Sequence, residues 1–171
     1  MRRLALILLA AVAVVPTAAI AARSAAGDGV FELRAVNGVV VLAGKGVVWG
    51  QMDRGAMRVS DLDPSDGNTP LVSGAERIIP AADPNTTLFT GTNLHFRLTG
   101  GKYRIRFRGT GIDLTAIGVG TASLTGDTAL TFTGRTGDYA VDGGSWTPVP
   151  ILQHDVPFGA QPAPTAPTTN P

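Results

Sequence analysis

The sequence predicts an all-β protein, an antiparallel β-sandwich with a small β-barrel as the alternative. Three observations lead there. Between Val30 and Phe158 apolar and polar residues alternate at period two, and no 3.6-residue stripe is sustained. The 22 glycines leave no helix-length gap that carries a clean apolar stripe, and Asn-Gly, Gly-Gly and Gly-Asp pairs punctuate the alternating runs. β-Branched and aromatic residues fill those runs. The usual spacing of turn signals then suggests about eight to ten strands.

Residues 1–22 read as a secretory signal peptide. Met1-Arg2-Arg3 is a positive start, Leu4 to Val15 is an unbroken apolar run, and Ala18-Ala19-Ile20-Ala21-Ala22 offers small residues for cleavage. A retained anchor is the alternative, but Pro16 and the Ala-rich exit favour cleavage. Removing Arg2 and Arg3 leaves twelve basic against thirteen acidic residues, a net charge of −1. That balance argues against nucleic acid as a partner. With no Cys, disulfide scaffolds and thiolate metal sites are excluded. The expectation is a secreted, extracytoplasmic protein with no membrane span after cleavage. Residues 23–29 read as a short linker, and 30–158 as the β-domain. The uncharged Pro/Thr-rich stretch 159–171 has little to bury and reads as a disordered tail.

Within the domain, three hairpins are predicted in order. Phe31–Val36 meets Val39–Ala43 across Asn37-Gly38. Asn93–Thr99 meets Lys102–Arg108 across Gly100-Gly101, with Leu94, Phe96, Leu98, Tyr103, Ile105 and Phe107 on one apolar face. Thr121–Thr125 meets Ala129–Thr133 through Gly126-Asp127-Thr128. A 65-residue offset also brings Phe31, Leu33, Gly44, Gly46 and Gly55 onto Phe96, Leu98, Gly109, Gly111 and Gly120. This suggests two pseudo-repeated halves, although the two hairpin turns do not superpose at that offset.

Catalytic chemistry finds little support. No Ser sits in a nucleophile elbow; Ser145 lies in a Gly-Gly turn, and the only histidines are His95 and His154. The only glutamates are Glu32 and Glu76, and most aspartates adjoin turn residues, so no carboxylate pair is indicated. Gly44-Lys45-Gly46 leads into a strand and not the helix that a phosphate loop requires. Asp61, Asp63 and Asp66, with Asn68, are oxygen ligands at turn spacing and form the one cofactor candidate, a Ca²⁺ site. No other cofactor is expected. Among the aromatic residues, Trp49 and Tyr103 read as core, and Trp146 as exposed.

The feature that asks for a function is basic. Arg97, Lys102, Arg104, Arg106 and Arg108 project from one side of the second hairpin, with Arg97 facing Arg104. The sequence therefore points to a non-enzymatic binding or structural domain of the cell envelope, its partner an anionic envelope polymer. A small secreted hydrolase, or a carrier of lipid or another small ligand in a barrel interior, are the alternatives.

Overall fold

The structure, a computed structural model, describes residues 27–130 and 134–159. The predicted signal peptide, residues 23–26 of the linker and the tail after Gly159 lie outside them. Seven strands form one antiparallel sheet: β1 Gly29–Asp61, β2 Leu71–Pro80, β3 Thr86–Leu98, β4 Lys102–Gly126, β5 Asp138–Val141, β6 Thr147–Pro148 and β7 His154–Phe158. Their order is β2-β3-β1-β4-β7, with β5 added to β1 and β6 to β5. The described residues contain two 3-10 turns, at Pro64–Asp66 and Thr128–Leu130, and no α-helix.

Strand length is the departure from expectation. β1 has 33 residues and β4 has 25: β1 runs straight through Gly38, read from sequence as a hairpin turn, and β4 runs through Gly109, Gly111, Gly118 and Gly120. Along one edge β1 pairs with β4 from Gly29↔Gly118 to Lys45↔Lys102, then with β3 from Val48↔Leu98 to Ser60↔Thr86. Its other edge pairs with β4 a second time, from Val39↔Thr125 to Asp61↔Tyr103. Residues 39–45 are thus flanked by β4 on both sides, which requires both strands to bend.

The bend is visible where Gly46 faces Gly118. Their φ angles are +140° and +149°, and a Cβ on either would fall on the opposing carbonyl, Ile117 O or Lys45 O. Only glycine allows both this backbone and this approach.

The first two predicted hairpins do not form. Asn37-Gly38 is a bend inside β1, where Asn37 Oδ1 accepts from Gly111 N (3.1 Å) and Nδ2 donates to Ala35 O and Arg135 O. Gly100-Gly101 carries the chain onward along the same edge of β1, with Gly46 N donating to Gly101 O (3.1 Å). The third loop turns at Thr128–Leu130, and Thr121 to Leu124 pair with β7 and β1. Residues 131–133 lie outside the described residues.

The apolar face assigned to the second hairpin holds even though its partners differ, whereas Ala35, expected to face inward with Phe31 and Leu33, is exposed, because the chain bends there at a φ of +50°. Leu94, Phe96, Leu98, Tyr103, Ile105 and Phe107 are all buried, alongside Val40, Leu42, Met57, Val59 and Leu124. Phe96 meets Phe107 at 4.9 Å between ring centroids, and Phe31 stacks on Phe158 at 5.6 Å. Each such side chain contributes about 1.5–3 kcal/mol by leaving water.

The strand register also repeats the 65-residue offset. Val39↔Thr125, moved forward 65 on β1 and back 65 on β4, becomes Arg104↔Ser60, which is an observed pair. By the same shift Val40↔Phe107 becomes Ile105↔Leu42, and Gly55↔Gly109 becomes Gly120↔Gly44. The turn mismatch that spoke against a repeat disappears, since neither glycine site is a hairpin turn.

Candidate functional site

Four of the five basic residues singled out from sequence stand together. Lys102, Arg104, Arg106 and Arg108 are exposed and alternate with buried Tyr103, Ile105 and Phe107 along β4. Same-face side chains on a strand recur about every 6.5–7 Å, so the four form a straight row.

Arg97 is not among them. It lies on β3 opposite Trp49 and Leu71, whereas Arg104 lies opposite Ala43 and Ser60. The expected Arg97–Arg104 juxtaposition fails because β3 and β4 follow one another along the edge of β1 and do not pair side by side.

Two residues that sequence reasoning missed complete the face. Arg58 is exposed on β1 directly opposite Arg106, and Lys45, also exposed, is opposite Lys102. Two pairs of like charges thus sit across adjacent strands, an arrangement that opposes folding. No ion pair among the described residues offsets it. Among the described residues the ion pair seen is Arg135 with Asp138 (3.9 Å), which lies elsewhere. The row through Arg106 runs outward along Val41 and Ser123 before it meets a carboxylate, Asp155. Three strand spacings separate the two, about 14 Å. Asp155 is itself engaged: Ser123 Oγ and then Gln153 Nε2 donate to it and hold its carboxyl below the usual range.

The acidic stretch forms a self-capped turn. Asp61 Oδ1 accepts from Asp63 N (2.9 Å), Asp63 Oδ1 from Ser65 Oγ (2.6 Å) and Asp66 Oδ1 from Asn68 N (2.8 Å). Each carboxylate has one oxygen in local Asx-type bonds, the role such residues take in turns. Among the described residues no three His, Asp or Glu side chains gather as a metal set. His95 and His154 lie on different strands, β3 and β7, and Ser145 is exposed in the loop after β5.

Trp146 is exposed, as expected, and carries the Arg34 guanidinium 4.1 Å above its ring. Trp49 departs from expectation by being half-exposed on the outward side of β1. No helix among the described residues is long and apolar enough to cross a membrane. Protein-family models, curated proteins and solved structures give no match to this chain.

Proposed function

We propose that the chain is an exported, non-enzymatic β-domain that binds an anionic polymer of the cell envelope through Arg58, Lys102, Arg104, Arg106 and Arg108, with Lys45 at the end of the row. The observation that carries this reading is the Arg58–Arg106 pair, two exposed guanidinium groups opposite each other with no carboxylate between them. A polymer bearing phosphate or uronate would relieve that repulsion. Each planar guanidinium fork takes two anionic oxygens, and a chain spanning the row meets several forks at once. Individual exposed contacts are worth little, so affinity depends on several acting together. Arg97, on another part of the sheet, is left out of this set.

The domain is read as two related halves whose long bent strands wrap into a sandwich-like or barrel-like body. The repeated register of β1 with β4 supports this. Residues 1–22 are read as the export signal, and intact-mass analysis of exported protein should give an N-terminus at Ala22 or Arg23.

Retention on polyphosphate and polygalacturonate matrices tests the binding reading. Wild type should be held at low salt and released as salt shortens the screening length to about 3–4 Å. Changing Arg58, Arg104 and Arg106 together to Ser should abolish retention, while Arg97→Ser should leave it unchanged. Equal retention of wild type and the triple variant would refute the assignment.

A further inference from the structure

A second surface differs from the arginine face in every respect. On the outward side of β1, β3 and the middle of β4, two cross-strand rows lie side by side. Thr115, Trp49 and Arg97 form one, and Asp113, Gln51 and His95 form the other. They line a shallow depression of about 970 Å³. At Gly50, which also lines it, a Cβ would meet Asp113 O and, at 2.8 Å, Leu114 Cα, so the two backbones approach closely there.

We propose that this depression is a binding site for a neutral glycan, with Trp49 as its platform. The half-exposed indole is amphipathic, and its electron-rich face attracts the polarised C–H bonds on one face of a pyranose ring. Around it stand the hydrogen-bonding groups that hydroxyls need. Gln51 and Thr115 each offer a donor and an acceptor, Arg97 only donors, and Asp113 acceptors. Asp113 Oδ1 accepts from Ala35 N at 2.8 Å, which holds the carboxylate in place and leaves Oδ2 out of that bond. Gln51, His95 and Arg97 are exposed and make no side-chain hydrogen bond or ion pair among the described residues.

Charge decides the ligand class. Two cations, Arg97 and Arg34, and two carboxylates, Asp113 and Glu32 opposite Thr115, stand on this stretch of the outward side, so its charges cancel and a polyanion gains little, in contrast to the uncompensated row on β4. A few apolar contacts with convergent polar groups are what small-ligand sites present. The patch is about 10 Å across its three strands and about 7 Å along them, a footprint for a short run of sugar rings.

The test is a titration with cellohexaose, chitohexaose, mannohexaose and maltohexaose, followed by indole fluorescence in a Trp146→Phe background so that Trp49 alone reports. Isothermal titration of the wild type provides the second readout. At least one of the four should give saturable binding whose Kd changes less than about twofold between 0.05 and 0.5 M salt, since no net charge is screened. Trp49→Ala and Gln51→Ala should each weaken it at least about tenfold while far-ultraviolet dichroism and melting stay those of wild type, and Trp49→Tyr should retain part of it. The triple arginine-face variant should bind the glycan normally, which separates this site from the polyanion reading. No saturable response to any of the four would overturn the proposal. So would undiminished binding by Trp49→Ala, or binding that is lost with salt and with the arginine face.

Discussion

Gly118→Ala asks whether β1 and β4 really cross as closely as described. Two costs combine. The added side chain must adopt a φ near +149°, a region nearly reserved for glycine, at about 1–3 kcal/mol. Its Cβ also lands on Lys45 O and lies 2.9 Å from Gly46 Cα, so backbone must move, at about another 1–3 kcal/mol. The sum, about 2–6 kcal/mol, is a large part of the about 5–15 kcal/mol that holds a typical domain. Gly67→Ala is the internal control. Gly67 has a φ of +70° and open space around it, so only the conformational cost, about 1 kcal/mol, should apply. Urea titration followed by Trp fluorescence and far-ultraviolet dichroism measures both. A Gly118→Ala loss no larger than that of Gly67→Ala would show that the two strands do not meet there, and the double pairing of β1 with β4 would have to be abandoned.

Two further outcomes follow from the core. Phe107→Ala should cost about 3–5 kcal/mol, and a cycle with Phe96→Ala should show a coupling of about 0.5–1.5 kcal/mol. Additive losses would place the rings out of contact. Tyr103 is buried, its hydroxyl has no hydrogen-bond partner among the described residues, and burial raises its pKa well above the ordinary phenol value. The shift stabilises the fold up to the unfolded-state value near 10 and is progressively lost as pH rises beyond it. Tyr103→Phe should therefore match or exceed wild type by up to about 1–2 kcal/mol at neutral pH and lose less stability on going to alkaline pH. An equal alkaline decline in both proteins, in denaturant titrations at several pH values, would remove Tyr103 from the account.

What could be read from sequence was local. The alternation of Tyr103, Ile105 and Phe107 with Arg104, Arg106 and Arg108 assigns faces whatever strand lies alongside, and those assignments hold. Partners were not legible, because Asn37-Gly38 and Gly100-Gly101 serve equally well as a reversal or a bend. Asn37 bends the chain through Gly111 N and Arg135 O, 74 and 98 residues away, which no local pattern reveals. Arg58 was overlooked for the same reason: only the β1–β4 register brings it to Arg106. Trp49 was misread by composition, since Val47 and Val48 flank it, yet Val48 points inward while Val47 and Trp49 point out. The 65-residue offset held the missing information, for it matches the pairing symmetry of β1 with β4.

The most direct test of the arginine face is the salt dependence of binding to a fluorescently labelled polyphosphate, measured by anisotropy. Each phosphate contact releases counterions, so the logarithm of the binding constant should fall linearly with the logarithm of salt. Removing Arg58, Arg104 or Arg106 singly should reduce that slope by about one each, and removing Arg97 should leave it as in wild type. A slope that is flat for the wild type, or one that responds to Arg97 and to face arginines alike, would contradict a polyanion site on this face.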